Sequence, residues 1–408
     1  MYRARFAEPH VDLVRRHYHR PVPGPPASSG PTRPVRVLLV IKSLGHGGAE
    51  RLVVDTVAHG DRRSYQYQVA YVLDSERAFV PTLEAGGTPV HALGATGNLD
   101  FGWLARLRRL LLDGEFDIVH FHLPYSAALG RLVIASMPRA KRPVTMYTEH
   151  SLWNKVSPLV KMLNRATVHR DRALIAVSQA AYEALPRSIR PGAQVVVHGV
   201  DLSRSQTALE QRDALRRDIR AELGVPEPAV LVVTIANLRS EKGYDVLLDA
   251  ARLIVDRGLA MCFAAAGQGA LEDELVVRHG QLGLGQSFVF LGHRPDALNL
   301  LAAADIVVLA SHQEGLPVVL MEAMSVGAAI VATSVGGVPQ VITDNVNGLL
   351  VSPGRAEDLA GALGRVGEDP ELRRRLGVRA KADSSAFDVA RASAEIEQIY
   401  RRVLEDGE

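Results

Sequence analysis

The amino-acid sequence predicts an α/β protein made of two doubly wound, Rossmann-like domains in series, and three patterns carry that prediction. Short runs of aliphatic and β-branched residues alternate with helical segments, which is typical of a parallel sheet with helices on both faces. The alternation begins at Val35–Ile41 and starts again at residues 230–236. A glycine-containing turn follows the first strand of each half, at residues 43–50 and 237–243.

Six apolar runs in the first half predict strands. Each run is short, rich in aliphatic or β-branched side chains and bounded by turn residues, as a buried parallel strand is. The predicted strands are residues 35–41, 67–72, 118–121, 144–148, 174–177 and 194–197. Helical segments between most of them supply the crossover connections that parallel strands require.

The second half repeats the same alternation. Its predicted strands are residues 230–236, 261–266, 288–291, 306–310, 329–333 and 348–351. The last stretch, residues 388–404, predicts one long helix with Ile396 and Tyr400 on a common face, because residues four apart are neighbours on a helix. Two parallel sheets of this kind, facing each other, would form an interdomain cleft for a ligand.

Composition shifts divide the chain into four predicted segments. Residues 1–34 are rich in Pro and Arg, and we expect a mobile extension because such a segment buries too little apolar surface to offset its ordering entropy. The first Rossmann-like domain is expected at 35–200 and the second at 201–386. The helical segment 387–408 ends the chain.

Composition and charge exclude several functional classes. The 408 residues are 47% hydrophobic and carry a net charge of +2, which disfavours a dedicated nucleic-acid-binding protein. The single cysteine, Cys262, excludes an internal disulfide framework and a multi-cysteine metal site. No apolar run approaches the length of a membrane-spanning helix, which is about 18 residues. Residues 1–20 lack the pattern of a secretory signal. We therefore expect a cytoplasmic protein.

The turn after the first strand, Gly45-His-Gly-Gly-Ala-Glu50, is similar to a dinucleotide-binding fingerprint. Glu50 stands where that fingerprint has its third glycine, and its carboxylate would repel a pyrophosphate, which disfavours an NAD-dependent oxidoreductase. Gly47 and Gly48 still let the backbone approach a ligand closely. The alternative is a tight strand-to-helix turn without a ligand.

The second half contains a sharper pattern, Glu314-Gly-Leu-Pro-Val-Val-Leu-Met-Glu322, directly after a predicted strand. Pro317 suits the first turn of a helix, which places Glu314 in the preceding loop and Glu322 on the helix. Gly315 and Leu316 offer backbone N–H groups at the positive end of that helix. Two carboxylates at this spacing suit binding to hydroxyl groups at separate points of an extended ligand. The alternative is two solvent-facing glutamates.

Two cations follow the first strand of the second half, Arg239 and Lys242. Cations at the carboxyl end of a strand can offset the charge of a departing diphosphate, Arg as a fork and Lys as a point charge. An ordinary surface turn is the alternative. Their expected position on the same sheet edge as Glu314 favours the functional interpretation.

Seven motifs, taken in order, resemble those of retaining glycosyltransferase family 4, also described as glycosyl transferases group 1. The resemblance covers about residues 35–404 and implies the GT-B fold, in which two Rossmann-like domains close on a nucleotide sugar and the C-terminal helix crosses back to the first domain. The motifs are Gly47-Gly-Ala-Glu-Arg51, Asp117-Ile-Val-His-Phe-His122, Ile175-Ala-Val-Ser178, His198-Gly-Val-Asp201, Lys242-Gly243, Glu314-x7-Glu322 and Asn345-Val-Asn-Gly-Leu-Leu-Val351.

The resemblance assigns roles in the second half. It implies that Glu322 holds the ribose hydroxyls of the donor and that Lys242 binds its diphosphate. Glu314 would lie against the transferred sugar, with the Gly315 and Leu316 amides near its hydroxyls or phosphate.

One position departs from the family pattern. Asn237 stands where the family usually has an arginine, and Arg239 is close enough in sequence to replace it. In the first half, the Gly47–Gly48 turn would approach the diphosphate from the other wall of the cleft.

Histidines mark the acceptor side in the resemblance. His122 matches the family's first-domain histidine, and His150 is a second acceptor-side candidate. His120 is expected out of phase with His122 on its strand and structural. Arg294, which follows another predicted strand, is a candidate for the base pocket.

The resemblance implies a retaining hexosyltransferase, and we expect it to use a UDP- or GDP-linked sugar and a glycan or lipid-linked hydroxyl acceptor, in glycan, polysaccharide or glycolipid synthesis. No cofactor and no bound metal are expected. The alternatives are a nucleotide-sugar epimerase or hydrolase of the same fold, or a non-catalytic subunit that binds nucleotide sugars.

Two basic amphipathic stretches, residues 101–112 and 152–165, leave a question of location open. Basic amphipathic helices can lie on anionic membranes, which would place the protein at the inner face of a membrane. The alternative is that each is an ordinary Rossmann helix with an apolar face against the sheet and arginines facing water.

Overall fold

The computed structural model of the protein describes residues 33–150, 153 and 157–406. The predicted extension lies outside these ranges except for residues 33 and 34. None of the helices in the described ranges is long and apolar enough to cross a membrane.

The first sheet has seven parallel strands in the order β3-β2-β1-β4-β5-β6-β7. The sequence predicted six of them and missed β3, an edge strand. The strands are β1 Val35–Ile41, β2 Tyr65–Leu73, β3 Val90–Ala95, β4 Ile118–His122, β5 Val144–Glu149, β6 Ala173–Ala176 and β7 Ala193–Val195.

The second sheet has six parallel strands in the order β10-β9-β8-β11-β12-β13. All six were predicted, with ends that differ by one residue at most. They are β8 Val230–Ile235, β9 Met261–Ala266, β10 Phe288–Gly292, β11 Ile306–Leu309, β12 Ala329–Thr333 and β13 Leu349–Val351.

Helices connect the strands of both sheets, which confirms the predicted α/β class. In the first half they are α1 Gly48–His59, α2 Val80–Ala85, α3 Gly102–Gly114, α4 Pro124–Ala135, α5 Pro158–Thr167 and α6 Gln179–Ala184. From residue 200 onward they are α7 Leu202–Glu210, α8 Arg212–Glu222, α9 Tyr244–Asp256, α10 Glu272–Gln281, α11 Ala297–Ala303, α12 Val318–Ser325, α13 Val338–Val341, α14 Ala356–Glu368, α15 Pro370–Ser384 and α16 Val389–Glu405.

The helices and sheets form two compact units. Val200–Ala386 makes up the second unit, and the first unit joins the preceding described residues to those from Phe387 onward. The long C-terminal helix α16 thus belongs to the first unit, although it follows the second in the chain.

The core of the first unit lies on both faces of its sheet. Because strand side chains alternate faces, Val37, Leu39 and Ile41 of β1 pack into one cluster, and Leu38 and Val40 pack into the other. All five are fully buried. A strand that is buried on both faces reads as the continuous apolar run that identified it in the sequence.

Helix α16 packs on one of these clusters. Tyr67 Oη and the Asp61 backbone N–H each donate a 2.7 Å hydrogen bond to Glu397 Oε1, which anchors the helix through a polar contact as well. Ile396 and Tyr400 share a face of this helix, as the sequence predicted, and both are buried. The apolar residues it contributes are Ile396, Ile399, Tyr400 and Val403.

Candidate active site

The loops at the carboxyl edge of the second sheet form the first candidate site. Strands β8, β11 and β12 are neighbours, so the loops that follow them begin side by side at residues 236–243, 310–317 and 334–337. Ligands of open parallel sheets bind at this edge. Lys242 lies in the first loop and Glu314 in the second.

Glu314 is the centre of this loop cluster. Lys242 Nζ donates to Glu314 Oε1 at 2.7 Å, and Ser311 Oγ donates to the same oxygen at 2.6 Å. The Glu314 side chain is 7% exposed and that of Lys242 is 22% exposed. The ammonium group thus compensates the desolvation of a nearly buried carboxylate.

The sequence placed Lys242 and Glu314 at one ligand but did not show that they bond to each other. It also missed Ser311, which stands three residues before Glu314 and is fully buried. Thr333 Oγ1 of β12 donates to the Ser311 carbonyl at 2.5 Å, which ties this loop to the neighbouring strand. A serine at a strand end was the only signal for it.

Two glycines set these loops against each other. Gly243 has φ +64°, and a Cβ at this position would overlap the carbonyl of Ala310 at the end of β11. Gly336 has φ +51°, and a Cβ there would overlap the Glu314 carbonyl. Only glycine tolerates such a conformation at such a close approach. Gly336 was not predicted, although a Gly-Gly pair two residues after a strand signals such a contact.

Glu322 lies on the short helix α12, which begins at Val318, so Pro317 precedes the helix by one residue rather than lying within its first turn. The Glu322 side chain is half-buried. Gly315 and Leu316 occupy the loop before the helix, where Gly337 N–H donates to the Gly315 carbonyl at 2.9 Å. The ligand roles of Glu322, Gly315 and Leu316 stay predictions.

Arg239 precedes the short 3-10 helix Ser240–Lys242, and Lys242 is its last residue. Arg239 is exposed, whereas Lys242 is half-buried against Glu314. The two cations are therefore in different environments, and only Lys242 is held in place by a carboxylate of this loop cluster.

Arg294 is held by two carboxylates of its own unit. Its Nε and Nη2 donate to the two oxygens of Asp296 at 2.8 Å, and its Nη1 bonds to Glu222 of α8. These hydrogen bonds raise the pKa of Arg294 above its already high value. Its guanidinium already serves as a structural clamp between the loop after β10 and α8, and a role in the base pocket stays a prediction.

In the first unit, the Gly47–Gly48 turn forms the start of α1, with Gly47 at the N-cap and Gly48 exposed. The Glu50 carboxylate lies over Gly47, and Glu50 Oε1 accepts a hydrogen bond from Ser43 Oγ at 3.0 Å. The positive end of α1 is therefore faced by a carboxylate of the helix itself. A diphosphate at this turn would have to displace or tolerate it.

Four histidines form a second cluster, at the carboxyl edge of the first sheet. His120 and His122 belong to β4, His150 follows β5, and His198 follows β7. The His122 and His150 rings lie 5.2 Å apart, with a 2.9 Å hydrogen bond between His122 Nδ1 and His150 Nε2. The His150 and His198 rings are stacked at 5.7 Å.

Burial keeps these imidazoles neutral. Burial, together with His150 and His198, lowers the pKa of His120 to about 3, and burial alone lowers that of His198 to about 4. Burial and the neighbouring histidines also hold the pKa values of His122 and His150 well below the usual 6.5. At neutral pH each ring therefore carries one proton and offers one donor and one acceptor.

The expectation that His120 lies out of phase with His122 was wrong. Residues two apart in a strand share a face, and the two rings lie 4.4 Å apart. His120 is nevertheless fully engaged inside the unit, because Nδ1 contacts Tyr400 Oη and Nε2 contacts Thr148 Oγ1, both at 2.7 Å.

The predicted cleft residues thus fall into two groups. Lys242 and Glu314 are in contact in the second unit, and His122 and His150 are in contact in the first. His198 had appeared only as part of a family motif, although its place after the last strand of the sheet was a signal for this edge. Among the described residues, no three His, Cys, Asp or Glu side chains are arranged to hold a metal ion.

Comparison with known proteins connects these groups to a family. The family described as "Glycosyltransferase Family 4" matches residues 46–204, and "Glycosyl transferases group 1" matches residues 216–383. The D-inositol 3-phosphate glycosyltransferase of Corynebacterium aurimucosum is 32% identical over 308 residues, which are 70% of this chain and 72% of that protein. The chain belongs to glycosyltransferase family 4.

Other members of the family are similar over much of their length. The D-inositol 3-phosphate glycosyltransferase of Saccharomonospora viridis is 30% identical over 320 residues, 71% of each chain. The α-D-kanosaminyltransferase of Streptomyces kanamyceticus is 27% identical over 324 residues, 76% of this chain and 84% of that one.

Solved structures confirm the fold of this glycosyltransferase. Anabaena Alr3699/HepE, crystallised with UDP and glucose, superposes with a TM-score of 0.78 at 24% identity, over 90% of this chain and all of that one. A glycosyltransferase from Rickettsia africae superposes with a TM-score of 0.77 at 17% identity, over 91% and 99% of the two chains. The predicted GT-B fold is therefore confirmed.

Proposed function

We propose that this glycosyltransferase transfers a hexose from a UDP-linked sugar to a hydroxyl acceptor with retention of the anomeric configuration, in the synthesis of a glycan, polysaccharide or glycolipid. The observation that carries the proposal is the contact between Lys242 and Glu314 at the carboxyl edge of the second sheet. It joins a cation suited to a phosphate with a carboxylate suited to sugar hydroxyls. The UDP and glucose bound by Anabaena Alr3699/HepE, which shares the fold, favour a uridine donor over a guanosine donor.

The donor would be held by groups with separate tasks. Glu322 on α12 accepts hydrogen bonds from the ribose hydroxyls, so it contributes to the binding of any UDP derivative. Lys242 contacts the diphosphate. Glu314, in the loop before α12, contacts the transferred sugar and orients its anomeric carbon.

Catalysis then depends on positioning and electrostatics. The bond between the anomeric carbon and the diphosphate oxygen breaks, the bonding electrons leave with UDP, and the acceptor hydroxyl attacks the same face of the sugar. The acceptor proton passes to the departing phosphate oxygen. Lys242 stabilises the negative charge that develops on the leaving group, and such fixed charges give large rate effects in a site shielded from water.

A panel of nucleotide sugars tests the proposal. UDP-, GDP- and ADP-glucose and UDP-N-acetylglucosamine are incubated with the protein, with and without lipid or glycan extracts, and nucleotide release is measured. We expect release from a UDP-sugar that rises when an acceptor is present, and an α-linked product from an α-linked donor by NMR. Turnover that needs no acceptor would favour the epimerase or hydrolase alternative, and inversion at the anomeric carbon would refute retention.

Two variants separate the carboxylate roles. Glu322→Gln should weaken both UDP and UDP-glucose in calorimetry by about 1.5–3 kcal/mol, the value of a charge-assisted hydrogen bond. Glu314→Gln should leave UDP binding nearly unchanged and lower kcat. Glu274→Gln, an exposed change on α10, is the matched control. The opposite pattern for Glu314 and Glu322 would reverse the assignment.

The proposal includes independence from a bound metal. Turnover of UDP-glucose should persist in excess EDTA and should not rise with added Mg²⁺ or Mn²⁺. Loss of activity in EDTA that a divalent cation restores would contradict this part of the proposal and leave the donor assignment standing.

Helix α5 supports a peripheral membrane contact for a lipid-linked acceptor. Leu159 and Met162 are both more than 60% exposed on this helix, which also carries Lys161 and Arg165. By contrast, α3 buries Trp103 and two leucines against the sheet, so its stretch is an ordinary Rossmann helix. Sedimentation with anionic vesicles should fall in Leu159→Ser/Met162→Ser, and equal sedimentation of both proteins would refute the contact.

A further inference from the structure

The contact between His122 and His150 restricts where the protons of both rings lie. The strands that carry them are hydrogen-bonded neighbours, with His122 of β4 opposite Thr148 of β5. His122 Nδ1 and His150 Nε2 are 2.9 Å apart, so one of these nitrogens must be a donor and the other an acceptor. Because each neutral ring carries one proton, the position of the proton in this hydrogen bond determines whether the other nitrogen of each ring is a donor or an acceptor.

Two arrangements satisfy this hydrogen bond. If His150 Nε2–H donates, both rings carry their proton on Nε2, the tautomer that a free neutral histidine side chain favours. If His122 Nδ1–H donates, both rings must carry their proton on Nδ1, the less favoured tautomer. The first arrangement costs less, and it makes His122 Nε2–H a donor.

The far nitrogen of His122, Nε2, is not used by the hydrogen bond to His150. His122 is 2% exposed, and its Nε2 is buried with no hydrogen-bond partner among the described residues. His198 is 1% exposed, and its Nε2 is also buried with no hydrogen-bond partner among the described residues. A buried N–H group without a partner is costly, and a ligand oxygen would satisfy it.

We propose that His150 is a positioning residue that holds His122 in its Nε2–H tautomer, so that His122 donates a hydrogen bond to an oxygen of the transferred sugar or of the acceptor. The inference rests on the proposed function only in taking a hydroxyl-rich substrate. The ring of His198 stacks on that of His150, which restricts the rotation of the His150 ring.

Nitrogen NMR of the ligand-free protein tests the tautomer directly. The chain has 14 histidines, and in protein labelled with ¹⁵N-histidine the His122→Gln variant identifies the His122 signals. We expect Nε2 to be protonated and Nδ1 unprotonated in His122 of the unaltered protein. A protonated Nδ1, or an averaged pair of tautomers, would overturn the proposal without requiring any enzymatic activity.

Kinetics test the consequence with UDP-glucose as the probe. His150→Leu removes the donor and should lower kcat/KM by about tenfold or more, the effect of one lost hydrogen bond. His150→Gln keeps an amide donor near the position of Nε2 and should restore most of that loss. Equal losses in both variants would show that the ring acts only through packing.

A double variant shows whether His150 acts through His122. In His122→Gln/His150→Leu the loss of kcat/KM should equal that of His122→Gln alone. Once the His122 ring is absent, His150 has no tautomer left to hold, so its replacement should cost nothing more. Losses that multiply would overturn the proposal. His91→Gln is the control, since His91 is a half-buried histidine bonded to Gln68 in the same unit, and its turnover should match the unaltered protein.

The two ligand sources are distinguished by which constant changes. If the oxygen belongs to the sugar, His122→Gln affects UDP-glucose turnover in water as strongly as transfer to an acceptor. If it belongs to the acceptor, hydrolysis is spared and the acceptor KM rises. Failure of the unaltered protein to turn over any UDP-sugar would refute the proposed function, while the NMR tautomer would still decide this inference.

Discussion

Removing Lys242 should destabilise the second unit through the charge that it leaves behind. In Lys242→Met, a side chain of similar length lacks the ammonium group, and among the described residues Ser311 Oγ is then the remaining donor to Oε1 of the nearly buried Glu314 carboxylate. A buried charge that loses its partner carries a desolvation penalty that its surroundings no longer offset. The variant therefore tests the energetics of the loop cluster before any substrate is added.

The size of the effect follows from burial and geometry. Breaking a fully buried ion pair costs about 3–5 kcal/mol, and an exposed pair contributes at most about 1 kcal/mol. Lys242 is 22% exposed and Glu314 is 7% exposed, with 2.7 Å between their charged atoms. We therefore expect a loss of about 2–3 kcal/mol, or a fall in Tm of roughly 5–10 °C for a unit of this size.

A double-mutant cycle with Lys242→Met, Glu314→Gln and both changes together isolates the pair. Calorimetry is the suitable method because both tryptophans, Trp103 and Trp153, lie in the first unit. The double variant should be more stable than Lys242→Met alone, with a coupling of about 1.5 kcal/mol or more. Additive losses would show that the contact contributes nothing to stability, and the reasoning from burial would fail.

Three further predictions concern the backbone, the C-terminal helix and pH. Gly336→Ala should lower stability and turnover more than Gly354→Ala. Both glycines have a positive φ, but only at Gly336 would the Cβ overlap the carbonyl of another residue. Equal losses in the two variants would refute the close approach. Glu397→Ala should cost about 2 kcal/mol in urea unfolding followed by tryptophan fluorescence, since two donors lose their acceptor, and an unchanged midpoint would show that the contact is incidental. Burial lowers the pKa of His198 from 6.5 to about 4, so the unfolded chain binds more protons between these values and the free energy of unfolding should fall as the pH drops from 6.5 to 4. His198→Gln should reduce that slope, and an identical slope in the variant would contradict it.

The strands of the second sheet could all be predicted because each is a short apolar run between turns. Strand β3 of the first sheet was missed because only Leu93 and Ala95 of its residues are buried. Its other positions include His91 and Gly94, which break the apolar pattern. The edge strands β10 and β13 were predicted, because their sequences are uninterrupted apolar runs.

The candidate site could be predicted as a set of residues but not as a set of contacts. Lys242 and Glu314 are 72 positions apart, and their meeting depends on β8 and β11 being neighbours, which no local pattern specifies. Arg294 shows the converse. Its position after a strand predicted a contact with a ligand, whereas the structure shows a contact with Glu222. Glu222 lies on a helix 72 positions earlier, and nothing in the motif of Arg294 indicates it.

The bond between Lys242 and Glu314 also connects the two halves of the proposed chemistry. An ammonium group has three N–H donors, so Lys242 can bind a diphosphate oxygen while it still holds Glu314. The same cation would then stabilise the leaving group and fix the carboxylate that orients the sugar. Lys242→Ala should therefore lower kcat by more than the loss of one phosphate contact, and by more than Arg239→Ala, since Arg239 is exposed beside the site and holds no part of this pair. Equal losses in the two variants, measured as UDP release from UDP-glucose, would show that the cations act on the phosphate alone.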